Sequence, residues 1–286
     1  MLSARCDRRS ASLAAALLAI TPLRPQPGCA ESSAAVLPAP AAVAAIAGGF
    51  LIPSAQYQSY ARVLEGLGCA TVLHGDASTL SRPQALPDGA RSLLAEVEAC
   101  AAQAHLPRSA PLVLVGHSRG CKTCVEAAAR STRRVAALVL LDPVDQTEPD
   151  PSTVLPELET LRVPAAVLGS GRSAYDCAPT GSNYVDYADA LARGRAPRLI
   201  GLMGRAGHMQ FVDDRRALSV DVCTPGKVSD EAVREVARST IAAWTRAALA
   251  PQGRGGSGEG GARTAAAESL RGTAFAAGVE WLAEDL

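Results

Sequence analysis

A G-x-S-x-G motif is the part of this sequence that is most able to do chemistry. It spans Gly116–Gly120 and has Ser118 at its centre. The apolar run Leu112–Val115 leads into it and helical spacing follows it, which is the strand–turn–helix context that the motif requires. Such a turn strains the serine backbone and needs small residues two positions before and after it. The pattern predicts a nucleophilic serine at the carboxyl end of a sheet; an ordinary turn with a capping serine is the alternative.

A serine nucleophile needs a general base, and chain order selects one of the four histidines. In hydrolases with this motif, the acid and then the histidine follow the serine along the chain. His208 is the only histidine after Ser118, and it stands just beyond the apolar run Arg198–Leu202. The other three have positions inside the motif, at a helix end or after a strand: His117, His105 and His74. The order predicts that His208 is the base; a surface loop histidine is the alternative.

Three carboxylates are candidates for the acid that would orient this histidine. Asp142 stands at the carboxyl tip of the apolar run Val135–Leu141, where it can accept the second ring N–H and stabilise the imidazolium. Asp145 is a near neighbour and a weaker candidate. Asp176 follows the next apolar run, Ala165–Leu168, and this position makes it the main alternative to Asp142 as the acid. The sequence favours Asp142; a strand-end carboxylate bound by local N–H groups is the alternative.

Two backbone N–H groups are candidates for an oxyanion hole. The N–H of Arg119 is placed at a helix N-terminus, where the helix dipole favours negative charge. The segment Ala47–Leu51 carries two glycines after the first predicted strand, so its backbone can approach a substrate oxygen. We expect the second donor to be the N–H of Phe50 or Leu51; a flexible turn is the alternative.

The cysteines give a weaker signal. Cys121 and Cys124 form a C-x-x-C, but a zinc or redox site would need a second ligand pair or a thioredoxin-like context. Neither is visible, so these residues are predicted to be small buried core thiols. The eight cysteines of the chain show no small-domain disulfide spacing and leave the redox compartment open.

Between about residues 43 and 250, apolar runs of strand length alternate with segments of helical spacing. The runs have no polar face, as expected of strands that are buried on both sides: Val43–Phe50, Cys69–Leu73, Leu112–Val115, Val135–Leu141, Ala165–Leu168 and Arg198–Leu202. Segments with helical spacing lie between or after them: Tyr57–Leu67, Gly89–His105, Arg119–Arg130 and Glu231–Leu249. This alternation predicts an α/β fold, with a mostly parallel central sheet flanked by helices on both faces.

Composition divides the chain into four segments. Residues 1–40 have a basic start, a short apolar run and few acids, which fits a signal peptide, a transit peptide or a disordered tail. Residues 41–250 are the expected catalytic domain. Residues 251–263 are rich in glycine and are predicted to be a flexible linker. Residues 264–286 are expected to form one short amphipathic helix without chemistry.

Overall composition excludes some classes of function. Lys and Arg number 28 against 28 Asp and Glu, so the net charge of zero argues against a nucleic-acid binder. Hydrophobic residues make up 48% and charged residues 20%, as in a folded protein. Aromatic residues are only 3%, so the core must be mainly Ala, Val and Leu. No apolar run is long enough to predict a transmembrane helix.

Four elements of this sequence, in the same order, resemble elements of the chlorophyllase family. They are the G-H-S-R-G elbow at Gly116–Gly120, the Asp-Pro-Val of Asp142–Val144, the Cys-Ala-Pro-Thr of Cys177–Thr180 with Asn183, and the Gly-His-Met of Gly207–Met209. The resemblance spans roughly Val43 to Leu249 and implies an α/β-hydrolase fold.

The resemblance also implies an activity, which is hydrolysis of the phytyl ester of chlorophyll to chlorophyllide and phytol. Ser118, Asp142 and His208 would form the catalytic triad. No metal or organic cofactor is implied, because the magnesium of chlorophyll belongs to the substrate. A chloroplast location would make the first 40 residues a transit peptide, with secretion as the alternative. The connections Val144–Pro156 and Gly169–Asn183 are expected to form the rim or lid of an apolar pocket. Peripheral contact with a membrane and the oligomeric state stay open.

Two departures from the family concern the substrate more than the chemistry. Gly48 stands where a histidine is common, and Cys121 stands where a second glycine usually follows the elbow. A general carboxylesterase or lipase that acts on other apolar esters is therefore the first alternative. A non-catalytic pigment- or lipid-binding protein is the second, and the presence of all three triad residues weighs against it.

Overall fold

One mixed sheet forms the centre of the molecule. The computed structural model describes residues 40–75, 86–146, 151–172, 177–218, 223–250, 264–272 and 278–285. The strands in these ranges are β1 (Ala42–Ala47), β2 (Cys69–His74), β3 (Leu112–His117), β4 (Val135–Leu141), β5 (Ala165–Ser170), β6 (Arg198–Met203) and β7 (Val279–Asp285). They lie in the order β2-β1-β3-β4-β5-β6-β7, with only the β6–β7 pair antiparallel.

Helices cover both faces of this sheet. In chain order they are α1 (Gln58–Glu65), α2 (Leu86–Gln103), α3 (Gly120–Arg130), α4 (Leu155–Thr160), α5 (Tyr184–Arg193) and α6 (Asp230–Leu249). Apolar residues of α1 and α6 pack in one core cluster, and those of α2, α3, α4 and α5 pack in a second cluster. The predicted α/β architecture is confirmed. Helices α4 and α5 were not identified from the sequence; α4 begins at the end of the predicted connection Val144–Pro156, and α5 follows the predicted connection Gly169–Asn183.

The apolar runs of the central strands follow from this layering. Along β3, Val113 and Val115 belong to the first core cluster, while Leu112 and Leu114 belong to the second. Successive side chains of a strand point to opposite faces, so a strand that is covered on both sides needs apolar residues at every position. Short Ala, Val and Leu side chains fill the narrow space between sheet and helices, which explains how a core forms with so few aromatic residues.

The C-terminal segment differs from its prediction. Residues 264–272 are helical, but Val279–Asp285 forms β7 and pairs with β6, so 264–286 is not one helix and the sheet extends past residue 250. The physical reason is a contact that is distant in sequence. The Trp281 ring lies over Gly201, where a Cβ atom would come within 2.6 Å of it. An apolar side chain every second residue fits a strand, and this packing outweighs the helical spacing of the segment.

Two of the four segments that the sequence predicted, the targeting segment and the glycine-rich linker, fall almost wholly outside the described residues. Residues 1–39 of the expected targeting segment and the whole expected linker 251–263 lie outside the described residues. Of the helices in the part of the chain that the structure describes, none has the length and hydropathy to span a membrane.

The passage from β3 to α3 is the tightest turn near the proposed nucleophile. Ser118 has a φ of 56°, in the left-handed region. A Cβ atom on Gly116 would lie 2.6 Å from the Cα of Cys121. A Cβ atom on Gly120 would lie 2.1 Å from the carbonyl oxygen of Ala47 on the neighbouring strand. Backbone atoms cannot yield as a flexible side chain does, so the two motif glycines are required by packing.

We therefore expect Gly120→Ala to destabilise the protein. The added methyl would press on the β1 backbone, and overpacking of this kind costs about 1–3 kcal/mol or more. The measurement is the free energy of unfolding from urea titration. Gly204→Ala is the matched control, because nothing lies within 4 Å of a Cβ atom there. Equal stability of the two variants would contradict the expectation.

Candidate active site

Ser118 lies at the carboxyl edge of the sheet, between two buried strands. Its N–H donates to the carbonyl oxygen of Leu141 at the end of β4, at 3.0 Å. Its own carbonyl oxygen accepts from the N–H of Cys121 in the first turn of α3, at 3.0 Å. Ser118 is 7% exposed. These bonds fix the hydroxyl at the sheet edge where parallel strands of an α/β fold present their ligand sites.

Three of the predicted residues form a hydrogen-bonded chain. The Oγ of Ser118 is 2.8 Å from Nε2 of His208. The Nδ1 of the same ring is 2.6 Å from Oδ2 of Asp142. His208 is 3% exposed and Asp142 is fully buried. With these partners, Nδ1 can donate to the carboxylate while Nε2 accepts from the hydroxyl, which is the arrangement needed to remove a proton from Ser118.

Ser170, at the end of β5, holds Asp142 from the other side, and sequence reasoning missed it. Its N–H donates to Oδ1 of Asp142 at 2.7 Å, and its hydroxyl donates to Oδ2 at 2.9 Å. A buried carboxylate needs such donors because burial otherwise disfavours its charged form. The only sequence signal was the position of Ser170 at the carboxyl end of the strand next to that of Asp142, where β4 and β5 are parallel neighbours.

The turn that carries His208 is held by side chains that the sequence analysis did not identify. His208–Phe211 forms a short 3-10 helix after β6. The buried Gln210 accepts from the N–H of Gly207 at 2.8 Å and donates to Asp230 of α6 at 2.7 Å. The hydroxyl of Tyr60, in α1, donates to the carbonyl oxygen of Phe211 at 2.5 Å. The turn is thus attached to the two helices that cover this face of the sheet.

The other two acid candidates have different outcomes. Asp145 is buried, and its Oδ1 accepts from the N–H of Val154 at 3.1 Å. Burial raises the pKa of Asp145, although hydrogen bonds from Thr153 and Val154 oppose the shift. None of the hydrogen bonds described for Asp145 reaches His208, so its carboxylate secures the connection to α4. Asp176 lies outside the described residues.

The loop after β1 passes beside Ser118, as the oxyanion hypothesis requires. A Cβ atom on Gly49 would lie 3.0 Å from the Cβ of Ser118 and 2.9 Å from Ile52. A glycine is therefore needed for this approach. Within the described ranges, no hydrogen-bond acceptor is found for the N–H of Phe50 or Leu51. Arg119 is the N-cap of α3 and follows Ser118 directly, so its N–H starts the helix beside the hydroxyl.

Backbone strain concentrates around this site. In the described part of the chain, four residues other than glycine have positive φ, and three of them are Leu51 at 58°, Ser118 at 56° and Asp142 at 43°. Each such residue costs about 1–3 kcal/mol and persists only where its surroundings hold it, a pattern that is typical of active sites. The fourth, His105, lies at the end of α2.

His117 lies in the core behind Ser118 and is fully buried. Its Nδ1 is 2.8 Å from the hydroxyl oxygen of Tyr57, and its Nε2 is 3.2 Å from the carbonyl oxygen of His208. Burial lowers the pKa of His117 to about 3, with a further lowering by His208 and an opposing effect of Asp142. The ring is therefore neutral in the folded protein.

The cysteines include a disulfide that the sequence analysis did not foresee. Cys177, after β5, is bonded to Cys223, after the His208 turn, across 46 positions of sequence. The bond closes a long loop and so stabilises the fold mainly by constraining the unfolded chain. Cys121 and Cys124 are free and buried, and burial raises the pKa of both thiols. Both side chains belong to the core cluster on their face of the sheet.

Two solved structures are similar to this chain, and the first of them has the same fold. A ferulic acid esterase from Streptomyces cinnamoneus is similar over 86% of this chain and 75% of its own, with 16% identity and a TM-score of 0.56. An N-formylmaleamic acid deformylase from Pseudomonas putida is similar over 62% of this chain and 90% of its own, with 14% identity and a TM-score of 0.43. No curated protein matches the sequence.

The fold is that of the α/β-hydrolases, as predicted. The chlorophyllase family profile matches residues 90–255, which is more than half of the chain. The chain therefore belongs to the chlorophyllase family, which confirms the resemblance that the four sequence elements indicated, and it is a carboxylic ester hydrolase.

The buried His117 gives an expectation for stability against pH. Its folded pKa of about 3 lies below the usual value of 6.5, so the unfolded chain binds the proton more readily. The stability that neutral His117 contributes is complete above pH 6.5 and is lost as the pH falls toward 3, at about 1.4 kcal/mol per pH unit.

The measurement is the free energy of unfolding from pH 7 to pH 4.5 for the wild type and for His117→Gln. As the pH falls, we expect the free energy of unfolding of the wild type to decrease faster than that of His117→Gln, by about 1.4 kcal/mol per pH unit. This difference in slope does not depend on how much the two proteins differ in stability at pH 7. Parallel curves would show that His117 titrates normally in the folded protein. The groups beside the ring are Tyr57, Phe211 and His208, and Asp142 acts on it electrostatically. They are the same in both proteins, so their titration largely cancels in the comparison.

Proposed function

We propose that this protein is a serine esterase that cleaves the phytyl ester of chlorophyll to chlorophyllide and phytol. Ser118 is the nucleophile, His208 the general base and Asp142 the acid that orients it. The observation that carries the proposal is the chain of hydrogen bonds of 2.8 and 2.6 Å through His208, in a member of the chlorophyllase family. Such a chain performs acyl transfer by way of a covalent ester.

Acylation begins when the Oγ of Ser118 attacks the propionate ester carbonyl of the pigment. His208 takes the hydroxyl proton at Nε2, and the resulting imidazolium is stabilised by Asp142 through Nδ1. The tetrahedral intermediate then collapses, the bond to the phytyl oxygen breaks, and Nε2 returns the proton to that oxygen. Phytol leaves, and the chlorophyllide acyl group stays on Ser118.

Deacylation uses the same groups with water in the place of phytol. His208 removes a proton from the water as it attacks the acyl carbonyl, and it then protonates the Oγ of Ser118. The products are chlorophyllide with a free carboxylate and the regenerated enzyme. In both steps the negative charge on the carbonyl oxygen is held by the N–H groups of Phe50 and Arg119, and fixed donors of this kind are worth about 10²–10³ in rate each.

The substrate assignment rests on the family, because the triad geometry serves any carboxylic ester. Phe50 supports an apolar substrate, since its side chain is 45% exposed on the loop that passes beside Ser118. An aromatic ring there can pack on a flat pigment or on an isoprenoid chain. A general carboxylesterase would use the same residues, so the choice between the two depends on the substrate that is turned over.

The location is a separate part of the proposal. A chlorophyll substrate places the protein in the chloroplast, with residues 1–40 as its transit peptide. The disulfide between Cys177 and Cys223 favours the secreted alternative, because such bonds persist mainly in oxidising compartments. A fluorescent protein fused behind residues 1–40 should enter chloroplasts of plant cells; export to the medium would reject the plastid location.

Activity against chlorophyll tests the reaction and the nucleophile together. We expect the purified full chain to convert chlorophyll a to chlorophyllide, measured by chromatography, and Ser118→Ala to form none above background. Turnover of p-nitrophenyl butyrate that depends on Ser118, without chlorophyllide, would keep the esterase and reject the pigment. A well-folded protein that neither turns over esters nor reacts with a fluorophosphonate probe would be a binding protein instead.

The assignment of the acid has its own matched control. Asp142→Asn should lower kcat by about 10⁴, as the corresponding substitution does in serine proteases, because the wrong tautomer of the histidine is then favoured. Asp145→Asn replaces another buried carboxylate, three residues further along the same connection, and we expect it to keep most of the activity below its melting temperature. If Asp176→Asn causes the large loss while Asp142→Asn does not, the acid is Asp176.

A further inference from the structure

The proposed mechanism does not use His117, although this residue lies inside the elbow and is fully buried. Its ring packs against three other rings, with centroid distances of 5.7 Å to Tyr57, 5.6 Å to Phe211 and 4.9 Å to His208. Burying an imidazole costs free energy unless both ring nitrogens have partners. Here both nitrogens have partners, and each partner belongs to a different loop of the site.

The partners fix the direction of every hydrogen bond. The Nε2 of His117 faces the carbonyl oxygen of His208, which can only accept, so Nε2 carries the proton. Since burial keeps the ring neutral, Nδ1 has a free lone pair and accepts from the hydroxyl of Tyr57. The oxygen of Tyr57 in turn accepts from the N–H of Gly49 at 2.9 Å. One protonation state satisfies the whole chain.

This chain joins the two sides of the proposed site. Gly49 directly precedes Phe50, whose N–H is the proposed oxyanion donor. The carbonyl at the other end belongs to His208, the proposed base. The approach of the Tyr57 ring depends on the loop sequence, because a Cβ atom on Gly48 would lie 2.5 Å from that ring. The loop, the tyrosine and the elbow histidine therefore form one continuous contact behind Ser118.

We infer that Tyr57 and His117 are positioning residues, which set the oxyanion donor and the catalytic imidazole at a fixed distance from each other through the chain Gly49–Tyr57–His117–His208. The inference rests on the proposed function. Its consequence follows from the sensitivity of catalysis to geometry, since a displacement of about 1 Å can cost about 10²-fold in rate. The hydrogen bonds of the tyrosine hydroxyl and of the His117 ring reach the N–H of Gly49 and the backbone carbonyl of His208, so both residues act through the segments that carry the reacting groups.

Tyr57→Phe tests the inference, because it removes one hydroxyl and leaves the ring in the core. Tyr187→Phe is the matched control. Tyr187 is equally buried, in the core cluster on the other face of the sheet, and its hydroxyl donates to the carbonyl oxygen of Val144 at 3.4 Å. Both variants lose one buried hydroxyl, so the decrease in melting temperature of Tyr187→Phe shows how much of the effect of Tyr57→Phe comes from lost stability alone.

The readout that separates positioning from packing is the split between kcat and KM in the full-length protein. For p-nitrophenyl butyrate we expect Tyr57→Phe to lower kcat about 10-fold or more and to leave KM within about twofold. The rate constant for fluorophosphonate labelling of Ser118 should fall by a similar factor. Tyr187→Phe should stay within about threefold of the wild type in both. Equal kinetics of the two variants would overturn the inference.

The protonation state of His117 can be observed without substrate. In protein labelled with ¹⁵N-histidine, we expect one ring to remain in the neutral Nε2–H form from pH 5 to pH 8, and to be missing from the spectrum of His117→Gln. Tyr57→Phe should shift the Nδ1 signal of that ring. A ring that carries its proton on Nδ1, or that titrates in this range, would contradict the chain.

The failure of this inference is distinguishable from failure of the proposed function. If Ser118→Ala hydrolyses p-nitrophenyl butyrate like the wild type, the triad proposal fails and the positioning role fails with it. If Ser118→Ala is inactive while Tyr57→Phe matches Tyr187→Phe, the triad stands and the positioning role is rejected.

Two substitutions of His117 test its hydrogen bonds separately from its volume. Gln retains a donor and an acceptor, whereas Leu retains neither. We expect His117→Gln to keep more of kcat than His117→Leu.

Discussion

The turn at Ser118 is the constraint on which the rest of the site depends. The chain passes from a buried strand into a buried helix, so the serine must adopt a φ of 56° and the neighbouring backbones must approach closely. The space for Gly120 is limited by the carbonyl of Ala47, and that strand leads directly into the loop with Gly49. The same close packing that strains the serine therefore brings the loop with the proposed oxyanion donor to it. A looser junction would relax the backbone and separate the two.

A second constraint is the charge on Asp142. A fully buried carboxylate is stable only if fixed donors replace its water, and here Ser170 provides two and His208 provides one. These residues follow three different strands, β4, β5 and β6, whose carboxyl ends meet at one sheet edge because the strands are parallel. The parallel sheet thus brings together the donors that stabilise the buried carboxylate, and the carboxylate in turn orients the imidazole toward Ser118.

The sequence predicted those features whose signal is local. Apolar runs indicated β1 to β6, the elbow motif indicated Ser118, chain order selected His208, and a strand-end position favoured Asp142; the structure brings these three side chains within hydrogen-bond distance. Contacts between distant segments were not predictable in this way. The disulfide joins cysteines 46 positions apart, and β7 is a strand because of the sheet edge that it meets, while its spacing also fits a helix. Ser170 and Tyr57 were missed for the same reason, since nothing beside them in sequence marks their partners.

The contacts of Tyr57 with the loop after β1 give a physical reason for a glycine at position 48. The resemblance implies a histidine at this position, but this chain has a glycine, and a Cβ atom there would lie 2.5 Å from the ring of Tyr57. A side chain at position 48 and a tyrosine in its present place exclude each other. The hydroxyl of Tyr57 accepts from the N–H of Gly49 and bonds the ring of His117, so the glycine allows the tyrosine to support the loop from behind. In this chain, the loop that carries the proposed oxyanion donor is therefore fixed by a residue of another segment.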